Sequence, residues 1–215
     1  MLSNYLLKNQ SWHILDGRAL PERMLATESP KRYRILNGMA RKYETVLPYV
    51  RPGDRVLDLC AGSGFGSQIL ANSGLRVVAL DRYPDCLPYR TGIEIVKANV
   101  LETVPDMGVF DAVTWIDAIE HFRLPDQNII LDRIRGWLKP EGVLIVDTPI
   151  SDTGGLKNQR HVHEHTWQSF GEIVGSKFSI LRRYRIDFVG DCITVMTESS
   201  NGFADGFSDQ VIVSK

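Results

Sequence analysis

Residues 56–70 read V-L-D-L-C-A-G-S-G-F-G-S-Q-I-L. An apolar run carries Asp58, glycines follow at 62, 64 and 66, and a helical apolar periodicity then begins. Glycine between a strand and a helix lets backbone approach a ligand, because it has no Cβ and tolerates positive φ. A pyrophosphate-binding turn would need G-x-G-x-x-G, and Ser67 stands where the third glycine should fall. A carboxylate at Asp58 would repel a pyrophosphate and suit an ammonium group. The next strand ends at Asp81, about 20 residues on, the spacing at which an acidic side chain accepts bonds from ribose hydroxyls. The expected ligand is therefore a cationic amino acid joined to an adenosine-type nucleoside.

A second group of residues could move protons. His121 follows Glu120, and R-H-V-H-E-H-T-W places His161, His163 and His165 in a loop ahead of a helix. Neutral imidazole near pH 7 can take a proton from a hydroxyl. An extended segment alternates its faces, so at most two of the three loop histidines share one side. His161 and His163, rather than His165, are expected to face inward. Tyr5, Trp12 and Tyr33 could line an acceptor pocket, although aromatic residues there more often serve packing.

The elements that must position these groups follow from periodicity. R-V-L-D-L-C, R-V-V-A-L, I-E-I-V-K-A, F-D-A-V-T-W-I and G-V-L-I-V-D-T-P read as strands, with helices beginning near Phe65, Pro84, Pro125 and Glu164. Runs this apolar are buried on both faces, as in a parallel sheet covered by helices. The fold expected is α/β, a Rossmann-like doubly wound sheet that is mostly parallel and ends antiparallel, since K-F-S-I-L-R-R-Y-R-I-D-F, C-I-T-V-M-T-E-S and D-Q-V-I-V-S-K lack a long helix between them. Right-handed crossovers bring the strand C-termini to one edge, which then carries Asp58, Asp81, Asn99, Asp117 and Thr148. Residues 1–50 are expected to form a helical cap, with Tyr33, Leu36, Ala40, Tyr43 and Leu47 on one face. Residues 51–215 form the binding domain, in one structural unit with the cap.

Composition narrows the setting. The chain has 215 residues, 43% hydrophobic, enough for one sizeable core. A net charge of −1 gives no global case for nucleic acid or an anionic membrane, and Arg182, Arg183 and Arg185 on a strand read as a solvated face. The three cysteines form no C-x-x-C pair, so a reducing, cytoplasmic setting is expected. No apolar run approaches a membrane span. A homodimer is compatible with these features.

The ordered series D-L-C-A-G-S-G-F-G, A-L-D-R, A-N-V, F-D-A-V-T-W-I-D-A-I-E-H-F and L-K-P-E-G-V-L-I-V-D-T-P resembles the motifs of class I S-adenosylmethionine-dependent methyltransferases over roughly residues 50 to 170. The resemblance implies S-adenosyl-L-methionine as cofactor. It implies that Asp58 helps position the methionine moiety, that Ala61, Gly62 and Gly64 bring backbone against it, and that Asp81, followed by Arg82, binds the ribose. Asn99 stands where the family usually has an aspartate for the adenine amino group, Val100 adds a backbone contact, and Ile116 with Asp117 floors the site. The acceptor is expected to be a small molecule methylated at O or N, with His121, His161 or His163 as base and no metal. L-K-P-E-G at 138–142 and T-P at 148–149 are typical of ubiquinone-biosynthesis and related O-methyltransferases. Asp117-x-x-Glu120-His121 with a later histidine also resembles the metal-ligand set of small-RNA 2′-O-methyltransferases. Two other readings are a partner subunit that only binds S-adenosylmethionine, and a dehydrogenase. Intact glycine and acidic motifs disfavour the first; Ser67 and Asp58 disfavour the second.

Overall fold

Parallel strands covered by helices on both faces must be apolar on both faces, and three inner strands of this protein are nearly so. The computed structural model describes residues 12–15, 18–21, 39–83, 92–151, 156, 158–187, 194–197 and 207–214, with 12–15, 18–21, 184–187, 194–197 and 207–213 followed as backbone. Strands β3 (Arg55–Leu59), β4 (Arg76–Asp81) and β6 (Phe110–Ile116) are buried almost throughout. Strand β5 (Ile93–Lys97) lies at the sheet edge and is mostly open to solvent. With β7 (Leu138–Pro149), β8 (Ser179–Asp187), β9 (Thr194–Thr197) and β10 (Phe207–Ser214), these strands form one sheet in the order β5-β4-β3-β6-β7-β10-β8-β9.

The first five strands in that order pair in parallel, and β10, β8 and β9 add on antiparallel. The expected doubly wound sheet is therefore present, and the three closing segments read as strands form its antiparallel end. Strand order reverses between β3 and β6, so the crevice at their C-terminal ends is the place where this topology binds ligands. Alternation along each strand sends the two sets of side chains to opposite layers. Leu57, Leu59, Val113 and Trp115 meet α3 (Leu124–Trp137) and α4 (Trp167–Gly175) in one core. Val56, Val77, Ala112 and Ile145 meet helical residues 39–44 (α1) and α2 (Phe65–Asn72) in the other.

Some boundaries differ from the periodicity. The helix expected near Glu164 starts at Trp167 because Thr166 caps it, accepting from Ser169 N in a reciprocal capping box. Glu164 and His165 are buried in the preceding loop. The helix expected at Pro84 and the residues Tyr5 and Tyr33 lie outside the described residues. The cap is not wholly helical: Trp12–Leu15 (β1) and Arg18–Pro21 (β2) pair antiparallel. Among the described residues, no helix is long and apolar enough to cross a membrane.

α1 is joined to the sheet by side chains at its inner face. Tyr43 is buried, its hydroxyl 3.1 Å from Asp58 Oδ1. Its ring lies where a Cβ on Gly66 would sit. Lys42, 2% exposed, donates to Asp117 Oδ1 at 2.5 Å and to Asp147 Oδ1 at 2.6 Å.

Two stability predictions follow from this packing. Gly66→Ala should destabilise the fold by about 3 kcal/mol in chemical denaturation, because the added methyl overlaps the Tyr43 ring; the penalty should shrink in a Tyr43→Ala background, and an additive double mutant would contradict the contact. Burial, and then His163 beside it, pushes the His165 imidazole down to about 4. Its folded value lies below the ordinary one of about 6.5, so its contribution is fully present above that pH. It is lost on acidification towards pH 4 at about 1.4 kcal/mol per pH unit. His165→Gln should remove this part of the slope in denaturation curves between pH 4 and 7.

Candidate active site

The glycine turn is built by backbone conformations that most side chains resist. Cys60, Gly62 and Gly64 have φ of 59°, 53° and 70°, in the left-handed region that favours glycine. Gly64 N donates to Ala61 O at 2.8 Å, Ala61 N donates to Leu80 O at 3.1 Å, and α2 starts from Gly64. Gly62 has open space where a side chain would stand.

Asp58 does not present a free carboxylate at this turn. It is fully buried, accepting from Tyr43 Oη at 3.1 Å, Ser67 Oγ at 2.5 Å and Thr114 Oγ1 at 2.8 Å. Burial raises its carboxyl above the usual carboxylate range, and the bonds from Ser67, Thr114 and Tyr43 oppose that rise. The sequence expectation placed Asp58 against an ammonium group; in the structure its oxygens hold the turn to α1, α2 and β6. Ser67, which broke the dinucleotide pattern, has a structural reason: its hydroxyl is a ligand of that carboxylate. Ala61 is also interior, packed near Ala79.

Asp81 closes β4. Its Oδ2 accepts from Gly62 N at 2.8 Å and its Oδ1 from Tyr83 N at 2.7 Å. A cavity of about 380 Å³ opens beside it. Asp81, Arg82, Asn99 and Val100 line this cavity together with Cys60, Phe122 and His121. Asn99 also shapes its own loop, accepting from Leu101 N at 3.1 Å and donating to Glu102 Oε1 at 2.8 Å. Ile116 is 6% exposed, and Asp117, at φ 50°, has its carboxylate engaged by Lys42.

The histidine loop is fastened to the turn after β6. Glu120 O accepts from Val162 N at 2.8 Å and from His163 N at 3.0 Å. Of the three proposed bases, His121 is the one that lines the cavity. Its Nδ1 lies 3.1 Å from Arg160 O. A carbonyl only accepts, so that nitrogen carries a proton, and in the neutral ring the lone pair then lies on Nε2. His161 is held at both nitrogens, by Glu164 Oε1 at 2.5 Å and Asn158 Nδ2 at 3.1 Å. The His163 ring stands edge-on to that of His165, 4.5 Å between centroids, and partial burial lowers its basicity. His165 is buried on Gln127, and neither His161 nor His163, expected to face inward, lines the cavity.

Glu120, His121 and His161 each offer a ligand atom, all within 4.8 Å of one another. Glu120 is 2% exposed and accepts from Thr148 Oγ1 at 3.2 Å. Burial, and then the Asp117 charge, pushes its carboxyl up to about 7. One carboxylate and two imidazoles suit a divalent ion. Asp117, the first member of the ligand set suggested by resemblance, stands outside this group, its carboxylate on Lys42.

Lys42 and Glu164 were not singled out as site residues. Lys42 lies one residue from the apolar stripe of α1, and Glu164 lies inside the histidine run; neither position carries a local sign of its distant partner.

Residues 31–182 match the family model described as a methyltransferase domain. The ubiquinone biosynthesis O-methyltransferase of Xanthomonas axonopodis pv. citri (strain 306) is 30% identical over 164 residues, covering 69% of this chain and 66% of that protein. The enzyme of the same name from Xanthomonas campestris pv. campestris (strain B100) is 33% identical over 107 residues, so that the match spans 45% of this chain and 44% of that relative. Among solved structures, the Burkholderia thailandensis 1,6-didemethyltoxoflavin-N1-methyltransferase, with its substrate and S-adenosylhomocysteine bound, superposes with a TM-score of 0.66 at 19% identity, over 90% of this chain and 81% of that one. With the family model spanning most of the chain and the doubly wound sheet beneath it, the protein belongs to the class I S-adenosylmethionine-dependent methyltransferases.

Proposed function

We propose that the protein transfers the methyl group of S-adenosylmethionine to a hydroxyl of a small-molecule acceptor. The observation that carries the reading is that His121, its Nδ1 held 3.1 Å from Arg160 O, lines a cavity also walled by Asp81, Asn99 and Val100. In this reading Asp81 takes the ribose hydroxyls, Asn99 and the Val100 backbone meet the adenine, and Arg82 flanks the nucleoside. Ala61, Gly62 and Gly64 bring the turn close to the methionine end, with Ile116 and Asp117 forming the floor. Lys42 and Tyr43 brace that floor, so α1 and the sheet work as one unit.

The transfer itself is a displacement. An acceptor oxygen attacks the methyl carbon, the carbon–sulfur bond breaks with its electron pair passing to sulfur, and the acceptor proton passes to His121 Nε2. Alignment supplies most of the rate, and the base adds where the acceptor ionises poorly. The His161 ring stands edge-on to that of His121, 5.3 Å between centroids, outside the cavity lining. Relatives named as ubiquinone biosynthesis O-methyltransferases support oxygen as the acceptor atom.

A second reading rests on the convergence of Glu120, His121 and His161. A divalent ion held there would lower the pKa of a bound acceptor hydroxyl. The contact from His121 Nδ1 to Arg160 O favours it, since a second-shell acceptor orients a ligating imidazole. A ribose hydroxyl at the end of an RNA is the acceptor that this reading adds.

Asp81→Ala should weaken S-adenosylhomocysteine binding about tenfold or more in calorimetry; unchanged affinity in folded protein would overturn the assigned cofactor wall. With a labelled methyl donor and a panel of catechols and hydroxybenzoates, His121→Ala should lower kcat by about 10²-fold or more while cofactor affinity stays near wild type. Manganese titrated into the protein should give saturable heat that His121→Ala abolishes if the second reading holds, and none if His121 acts as a base alone.

A further inference from the structure

The two walls of the cavity are held by one helix. Loop 99–102, the wall beside Asp81, is not fastened by the sheet alone. Arg133, on α3, donates through Nη1 to Val100 O at 2.6 Å and to Glu102 O, and through Nη2 to Leu101 O at 3.4 Å. Three consecutive carbonyls thus converge on a single guanidinium. Its planar fork can serve several acceptors in a fixed geometry, which a lysine ammonium on a flexible stem cannot reproduce. The amide groups of the same loop turn elsewhere: Leu101 N goes to Asn99 Oδ1 and Glu102 N to Asn99 O. Among the described residues no hydrogen bond engages the Val100 N–H, and Val100 lines the cavity.

The opposite wall is the turn that carries His121. Gln127, in the first part of the same helix and fully buried, donates to Ile119 O at 3.1 Å and to Phe122 O at 2.9 Å. Its Oε1 lies 2.8 Å from His165 Nε2, which ties the histidine loop to the same point. The two side chains stand six residues apart, about 9 Å along the helix axis at 1.5 Å per residue.

We propose that Arg133 and Gln127 are positioning residues, Arg133 for the loop that meets the adenine and Gln127 for the turn that presents His121. The backbone of α3 then sets the distance between the two walls. The assignment rests on the reading of this cavity as the cofactor site.

The test is a crossed comparison in the full chain. Arg133→Met should weaken S-adenosylhomocysteine binding about tenfold in calorimetry, and should reduce the preference for it over its inosine counterpart, because the lost contacts shape the adenine end. Arg133→Lys, which keeps the charge and loses the fork, should fall between wild type and Arg133→Met. Imidazole resonances of His121, assigned with His121→Ala, should be unchanged in both Arg133 variants. Gln127→Met should do the reverse, shifting the His121 resonances while cofactor affinity stays within about twofold.

Affinity within about twofold of wild type in both Arg133 variants would overturn the proposal, as would equal effects of Arg133 and Gln127 replacements on both readouts, the pattern of general destabilisation. Asp81→Ala separates the two levels of the argument. If it weakens binding and Arg133→Met does not, the positioning role alone fails. If neither matters in folded protein, the cavity is not the cofactor site.

Discussion

Lys42 carries one ammonium group into a region where the parallel sheet has gathered negative charge. The C-terminal ends of β6 and β7 bring Asp117 and Asp147 together, and Lys42 donates to both. Glu120 stands close enough for Asp117 to raise its carboxyl. Burial pushes Asp147 well above the usual carboxylate range, and the nearby Lys42 charge opposes that rise. Burial acts against the Lys42 charge, while Asp117 and Asp147 more than offset it and hold the group protonated. A buried ion group of this kind adds little net stability over an apolar substitute, but losing one partner is costly because the others are left uncompensated. The position of α1 over the sheet edge follows from that asymmetry.

The neighbouring residue continues the same logic into the glycine turn. Tyr43 reaches Asp58 with its hydroxyl and covers Gly66 with its ring. Asp58 is thereby a junction of four elements, α1, β3, α2 and β6, with Ser67 and Thr114 supplying its other donors. A buried carboxylate with three donors is a rigid support. It holds a turn whose left-handed residues would otherwise be free to relax. Rigid support beneath and open space above Gly62 are what a turn needs if its backbone is to approach a ligand.

The acceptor side is assembled differently, from loops held by carbonyl groups. Glu120 O takes two amides of the histidine loop, Arg160 O takes His121 Nδ1, and Gln127 takes the carbonyls of the turn after β6. Such contacts are short-range and directional, so they fix tautomers and ring planes that charges alone would leave loose. They also separate the histidines by role: His121 opens on the cavity, His161 is tied at both nitrogens, and His165 is a core residue.

The amino-acid sequence by itself determined the order of strands and helices and the strand-end edge that carries Asp81 and Asn99, while the resemblance to the methyltransferase motifs added Arg82 and Val100 beside them. The order and the edge are consequences of periodicity and of the right-handed crossover, both local in the chain. It did not show that Asp58 is sealed inside the turn, that Lys42 stands between Asp117 and Asp147, or that His121 rather than His163 faces the cavity. Lys42 meets Asp147 across 105 positions, and His121 meets Arg160 across 39. Hydrogen bonding and ion pairing between such distant residues depend on distances of a few ångströms, which exist only once the sheet has brought its strand ends together.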